Sequence, residues 1–249
     1  MSSDQGRRPS DDPRAAALAA VAVAVADASL DGLVADLQRL CRAAVEVLGV
    51  RGAAVHVVGA DGAPAVAAAA DAWSRALAEA AFESGEGPSV DAHALARPVL
   101  ASRLVEDGTG RWPGYLTAVR ASGVEACFAL PLHVGAVRLG VLELYADHSG
   151  ALMDGAISSA LVFADLAVER LLEPPSGNDA EELDQRLLTA LERRSEIHQA
   201  QGMVMVDHHV DLPTALALMR AHAFSRGITL LELAREILAG ARLPEDDSP

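Results

Sequence analysis

Histidines and cysteines are the side chains of this sequence that could carry catalysis or hold a metal, and their placement favours neither. Cys127 alternates within an apolar strand pattern and Cys41 lies on the apolar face of a helix pattern, so both are predicted core residues. His208 and His209 are adjacent, and on a helix they would point about 100° apart. His93 has no second ligand at a suitable spacing. We therefore predict no metal, no cofactor and no enzyme activity, with a small-molecule enzyme in the N-terminal part as an open alternative.

Side chains able to contact phosphates and base edges cluster near the C-terminus. Arg220 and His222 lie in the last half of a predicted helix, Arg226 lies in the turn after it, and Thr229 begins the next helix. Arginine contacts phosphate oxygens, and the free N–H groups at a helix start attract them. The cluster predicts a small phosphate- and base-reading face, with Arg194 on the preceding helix as a further candidate. A solvated helix face is the alternative.

A Gly-Glu-Gly-Pro-Ser segment, residues 85–89, stands between a predicted helix and a predicted strand. Two glycines and a proline allow the backbone to approach another group closely. The segment is either the rim of a small-molecule pocket or a plain turn. A pocket here would lie between the central sheet and this segment, and its candidate lining is Phe82, Gly85, Gly87, Pro88 and Trp112.

Composition limits the class of protein. The chain has 249 residues and a net charge of -15, with 35 acidic and 20 basic side chains, and every basic one is arginine. This acidity argues against a protein that coats nucleic acid non-specifically, although it allows one basic face. Two cysteines exclude a disulfide framework, a zinc ribbon and an iron–sulfur cluster, and they fit a reducing cytosol. No segment offers the roughly 20 apolar residues of a membrane span, so we predict a cytoplasmic protein that contacts no membrane.

Hydrophobic periodicity predicts an α+β domain over residues 15–172, after a disordered stretch at 1–14. Helix-like and strand-like patterns follow one another in an order typical of an antiparallel sheet covered by helices. Asp61-Gly62 and Gly135-Ala136 mark two hairpin turns. The predicted helices are 15–48, 73–84, 115–121 and 152–172, and the predicted strands are two within 52–71, then 94–102, 124–134 and 137–146.

A proline- and glycine-containing linker at 173–182 separates this domain from a helical one at 183–243, before an acidic tail at 244–249. The second domain is predicted as three helices. Asp211 and Pro213 begin the second helix and Thr229 the third, while Gly227 and Gly240 end them. The residues predicted to face inward on the second helix are Ala215, Leu216, Leu218, Met219, Ala223 and Phe224.

The two halves resemble two known families. HQAQGMVMV (198–206) and ALALMRAHAFSRGITLLELAREILAG (215–240) closely resemble the ANTAR domain of transcription antitermination regulators. FESGEGPSVDAHALARPVL (82–100) and FALPLHVGAVRLGVLELY (128–145) resemble the GAF domain that precedes ANTAR in actinobacterial regulators. The ANTAR-like residues are Gln199, Ala200, Gly202, Met203, Met205, Ala215, Leu218, Arg220, Ala223, Leu230 and Ala234.

The resemblance implies a three-helix RNA-binding output that binds paired hairpins with six-base loops in a nascent transcript and so prevents a terminator from forming. It also implies a homodimer and a sensor for an unknown small-molecule or protein signal. Two positions depart from the pattern, since Gln201 replaces a frequent lysine and Ser89 a frequent cysteine. The alternative function is a ligand sensor that acts through protein–protein helix pairing without RNA; the absence of lysine favours it.

An apolar helical stripe is a further reason to expect a homodimer. Leu183, Leu187, Leu191 and the helix at 152–172 present more apolar surface than a 60-residue bundle can bury.

Overall fold

The computed structural model describes residues 32–58, 64–150, 154–173 and 195–244, with the single positions 19 and 152. The chain divides into two compact units, Met1–Leu183 and Asp184–Pro249. The predicted linker at 173–182 falls at this division, and all of it except Glu173 lies outside the described residues.

The described part of the first unit holds one antiparallel sheet of five strands in the order β2-β1-β5-β4-β3. Its strands are β1 (Gly52–Val58), β2 (Pro64–Ala69), β3 (Val99–Ala101), β4 (Ala126–Val134) and β5 (Val137–Ala146). Its helices are α1 (Leu33–Leu48), α2 (Ala72–Ser84), α3 (Pro88–Leu95), α4 (Leu104–Gly108), α5 (Pro113–Val119) and α6 (Asp154–Leu172), with a 3₁₀ turn at Arg120–Ser122 after α5.

Alternation along the strands gives the sheet two apolar faces. Phe128 and Leu130 of β4 pack with α1 and α6 on one face. Cys127 and Ala129, which alternate with them along β4, pack with α2, α3 and α5 on the other face. Because side chains of a strand point to opposite sides in turn, a run that is apolar at nearly every position indicates a strand buried on both faces. The helix–sheet–helix arrangement confirms the predicted α+β class.

Local signals account for most element boundaries in this unit. The Asp71 carboxylate accepts a hydrogen bond from the Ser74 N–H at 2.8 Å, which caps the start of α2. Gly85 ends α2 with a φ of 70°, the left-handed conformation that glycine adopts without strain. The predicted hairpin of β4 and β5 is confirmed. β1 and β2 also pair antiparallel as predicted, while the turn between them lies outside the described residues.

The segment after Gly85 differs from the prediction. The expected strand at 94–102 is only Val99–Ala101, and the helix α3, which the sequence reading missed, precedes it. Gly87 begins α3 with a φ of 132°, and Pro88 occupies the first turn, where its missing N–H costs nothing. The short helix α4 was also missed. The prediction of one continuous helix over 15–48 is wrong at Gly32, whose φ of 121° is not helical, so that α1 begins at Leu33. Nearly all of the predicted helix before Gly32 lies outside the described residues.

The second unit is helical throughout its described part. Its helices are α7 at 195–208, α8 (Leu212–Arg226) and α9 (Leu230–Leu238). The predicted caps are confirmed: the Asp211 carboxylate accepts the Thr214 N–H, and Gly227 ends α8 with a φ of 64°. Ile197, Ala200 and Val204 of α7 are buried.

One inward-facing prediction is wrong. Phe224 is 60% exposed, although its periodicity matched the apolar face of α8. Ala215, Met219 and Ala223 fill that face, and Phe224 lies outside the arc they cover. A helix only nine residues long packs beside the end of α8, and it leaves this side of the last turn open to solvent.

Candidate functional site

Five polar side chains meet inside the first unit, a grouping that the sequence reading missed. This buried polar cluster consists of His56 on β1, Glu143 and Tyr145 on β5, Cys127 on β4 and Ser89 on α3. Glu143 is fully buried, and one of its oxygens lies 2.5 Å from His56 Nε2 and accepts the Tyr145 hydroxyl at 2.6 Å. The Cys127 thiol donates to the other oxygen at 3.7 Å.

The electrostatics of the cluster follow from this geometry. Burial raises the pKa of Glu143, but attraction to His56 and hydrogen bonds from its neighbours outweigh burial and hold the pKa below the usual 4.5. Burial and the nearby carboxylate raise the pKa of Tyr145 and of Cys127 well above their usual ranges. Both therefore stay protonated and act as hydrogen-bond donors. Burial also raises the pKa of the Cys41 thiol to about 12, so neither cysteine is activated as a nucleophile.

The glycines of segment 85–89 allow close packing between this segment and other residues of the same domain. A Cβ on Gly87 would stand 3.3 Å from the Ala81 Cβ and 3.4 Å from the Tyr115 ring. The Glu86 carboxylate accepts the Gly114 N–H at 2.7 Å, and the Ser89 side chain faces Glu143 and helps to lower the pKa of that carboxyl. The segment thus ties the start of α3 to α5 on one side and to the buried polar cluster on the other.

Trp112 and Phe82 lie at different depths. Trp112 is buried, and its Nε1 donates to the Asp91 carboxylate at 3.1 Å. Arg111 covers its ring at 4.3 Å and bonds the same carboxylate at 2.7 Å. Phe82, on α2, is half-buried. Among the residues of the predicted pocket lining, Trp112 is thus held by its contacts with Arg111 and Asp91. Gly85 ends α2, and Pro88 begins α3.

The residues of the predicted basic face of the second unit lie at separate places in the fold. Arg226 forms a two-pronged ion pair with Glu236 of α9, with Nη2 at 3.0 Å from the carboxylate. The Thr229 hydroxyl accepts the Glu232 N–H while the Glu232 carboxylate accepts the Thr229 N–H, a reciprocal cap that places an acid at the start of α9. Arg220 and His222 are both half-buried on α8, two residues apart and therefore on different sides of the helix. Arg194 lies outside the described residues.

A groove on the second unit includes one of these predicted residues. It has a volume of about 300 Å³ and lies among the end of α7, the last half of α8 and the segment after α9. Its lining residues are His208, Leu218, Ala221, His222, Ser225, Leu243 and Pro244. Beside it, Arg242 is 83% exposed, with its Nε 3.8 Å from the Asp207 carboxylate. The sequence reading missed Arg242, because it stands after the last helix pattern.

Metal binding and membrane crossing find no support in the described residues. No group of three or more histidine, cysteine or acidic side chains among them could hold a metal ion. No helix within the described ranges combines the length and the apolar character that a membrane crossing requires.

The first unit is an α+β domain built on a five-stranded antiparallel sheet, and the described part of the second unit is helical. Residues 35–168 match the GAF domain family model, and residues 185–238 match that of the ANTAR domain. The chain belongs to the GAF domain family and carries an ANTAR domain after its GAF domain, as GAF–ANTAR regulators do. GAF is a sensor domain, and ANTAR is an RNA-binding antitermination module.

Solved structures with which the chain shares similarity include the GAF domain of a phosphoenolpyruvate-protein phosphotransferase from Acinetobacter. The identity is 12%, the match covers 62% of this chain and 92% of that one, and the TM-score is 0.47. A free methionine-R-sulfoxide reductase from Neisseria meningitidis is 14% identical over 69% of this chain and 95% of its own, with a TM-score of 0.46. No curated protein matches the chain.

Proposed function

We propose that this chain is a signal-responsive antitermination regulator whose second unit binds paired hairpin loops in nascent RNA and whose first unit senses the signal. The observation that carries the proposal is the ANTAR match over residues 185–238. Single-stranded loop bases, splayed from a stem, can be read by hydrogen bonds and stacking. Such a function requires the chain to act in the cytoplasm, where transcripts are made.

The RNA-contacting residues of this proposal are Arg220, His222, Arg226 and Thr229, with Arg194 as a further candidate. Arg226 is the most testable of them, because its carboxylate partner is known. An exposed ion pair such as Arg226–Glu236 contributes little to stability, so a phosphate can compete with Glu236 for the guanidinium.

Arg235 provides a matched control for Arg226. It too is an exposed arginine that bridges two helices, with its Nε 2.7 Å from the Glu196 carboxylate. We would select RNA on the full chain from two-hairpin transcripts with randomised six-base loops, then titrate Arg220→Ala, Arg226→Ala and Arg235→Ala at several salt concentrations. We expect the first two to lower affinity and each to reduce the logarithmic salt slope by roughly 0.7, the value for a single-strand phosphate contact.

Two outcomes would contradict this proposal. If Arg235→Ala lowers affinity and the other two do not, the RNA face lies on the side of Arg235. If the wild-type chain enriches no RNA from the pool, the alternative of a ligand sensor that acts through protein–protein helix pairing is favoured. The absence of lysine from the whole chain is the observation behind that alternative.

We propose that the chain is a homodimer through the helix α6, among other segments. Leu161 and Leu172 are 43% and 56% exposed, and their spacing of eleven residues returns to the same face of a helix. The stripe at Leu183, Leu187 and Leu191 lies outside the described residues. Light scattering at tens of micromolar should give the mass of two chains, and Leu161→Glu should lower it. A wild-type monomer would contradict the proposal.

For the sensor, we propose a ligand site between the central sheet and segment 85–89, near Phe82 and Trp112. The signal is a small molecule or a protein. A ligand shifts the output only by its differential affinity for two states of the chain. The contact between Ser89 and Glu143 supports this location, because movement of α3 would break it.

A further inference from the structure

The groove of the second unit combines apolar and polar side chains, and its lining residues are His208, Leu218, Ala221, His222, Ser225, Leu243 and Pro244. Leu218, Ala221 and Leu243 supply apolar surface, while the two histidines and the serine supply polar tips. Its volume of about 300 Å³ stands at the lower end of the range that small-ligand pockets occupy, roughly 300–1,000 Å³. Apolar surface with a few polar groups fixes both the position and the orientation of a ligand.

The polar groups of the groove suit the edge of a nucleobase. The Ser225 hydroxyl donates to the His222 carbonyl at 2.8 Å, which leaves its oxygen as an acceptor. An imidazole ring can stack on a base or exchange hydrogen bonds with its edge, and bases that leave their stack are read in both ways. His208 and His222 come from α7 and α8, so the fold supplies two such rings to one groove.

The charge beside the groove suits a phosphate. Arg242 directly precedes the lining residue Leu243, and Asp207 directly precedes His208. Their ion pair is loose, at 3.8 Å, and Arg242 is 83% exposed, whereas Arg226 and Arg235 bond their carboxylates at 3.0 and 2.7 Å. A phosphate can therefore take Arg242 from Asp207 at little cost.

We infer that this groove receives one base of the bound RNA, splayed out of its stack, and that Arg242 contacts the phosphate beside it. The inference rests on the proposed RNA-binding function and specifies where the base is read. An apolar side chain of a second copy is the competing occupant. An apolar side chain would form no hydrogen bonds with the two histidines and the serine of the groove, nor an ion pair with the exposed arginine beside it. The observations therefore favour a base.

The test compares a substitution that fills the groove with a matched substitution outside the groove. Ala221→Leu adds three carbon atoms to the lining. Ala217→Leu makes the same change at an exposed position of α8 that does not line the groove. The probe is the RNA selected by the full wild-type chain from two-hairpin transcripts with randomised six-base loops, with each loop base then changed in turn.

We expect Ala221→Leu and His222→Ala to weaken binding roughly 5- to 150-fold, the cost of one lost base contact, and to remove discrimination at the same loop position. Their salt slopes should match wild type, because the lost contact is to a base and not to a phosphate. Arg242→Ala should instead reduce the slope by roughly 0.7 and keep the base preference. Ala217→Leu should bind like wild type.

The possible failures are distinguishable. If the wild-type chain selects no RNA, the proposed function itself is wrong. If it selects RNA that Ala221→Leu and His222→Ala both bind with wild-type affinity and base preference, the base pocket is wrong while RNA binding stands. If Ala221→Leu changes only the mass in light scattering, a second copy occupies the groove. His222→Ala, which removes atoms from the groove, keeps the test valid if the larger side chain of Ala221→Leu prevents folding.

Discussion

His56→Ala should destabilise the first unit by about 2–4 kcal/mol, because it removes a hydrogen-bond partner from a fully buried carboxylate. Glu143 has no exposed surface, and its oxygen lies 2.5 Å from His56 Nε2. Tyr145 still donates to that carboxylate after the change, at 2.6 Å, which favours the lower end of the range. In a Glu143→Gln background the same change should cost less, because leaving a neutral amide without one hydrogen bond is less unfavourable than leaving a carboxylate without it.

Urea unfolding followed by tryptophan fluorescence measures this cost. The chain has two tryptophans, Trp73 and Trp112, and both belong to the first unit, so the signal reports on that unit. Glu106→Gln is the control, since it removes an exposed ion pair to Arg103 whose side chains are 61% and 63% exposed, and it should cost about 1 kcal/mol or less. A cost for His56→Ala no larger than that of the control would refute a stabilising contact between His56 and the buried Glu143 carboxylate.

Three further predictions concern acid stability, close packing and helix capping. Because the pKa of Glu143 lies below 4.5 in the folded unit, the stability it contributes is complete above pH 4.5. Urea unfolding should show that contribution lost as pH falls through the folded pKa, and Glu143→Gln should reduce the loss. Gly140→Ala should destabilise the unit by at least about 3 kcal/mol in the same assay, since the new Cβ would stand 1.9 Å from the His56 carbonyl oxygen. The Cβ of Gly202→Ala, by contrast, meets no atom within 4 Å, so this change should stabilise its helix by about 0.5–1 kcal/mol. Thr229→Ala should cost about 1 kcal/mol by loss of the α9 cap in circular-dichroism melting, and Thr229→Ser, which keeps the capping hydroxyl, should cost less; equal losses would contradict the capping argument.

Short-range interactions explain which features the sequence predicted correctly. The caps at Asp211 and Thr229 join a side chain to an N–H three residues later, so the residue types alone predict them. The hairpin at Gly135-Ala136 is likewise a local turn between two apolar runs. The class of fold followed from the order of these elements, because an apolar strand must be covered on both sides.

Contacts between distant parts of the chain decided the candidate sites. His56 and Glu143 are 87 positions apart, and each alone reads as an ordinary polar residue in a strand. The sequence did not predict α3 for two reasons. The helix begins at Gly87-Pro88, a pair that usually indicates a turn, and it packs against the sheet through Ala92 and Ser89 rather than through a regular apolar stripe.

In the second unit, the sequence determined which residues form the helices, but not which of their polar groups remain available. Arg226 is taken up by Glu236, ten positions later, and Phe224 is exposed because no helix covers that side of α8. The groove beside His222 exists only where α7, α8 and the segment around Leu243 meet. Periodicity predicts the face of each helix, whereas the surface between helices depends on how those faces pack together, and only the tertiary structure sets that packing.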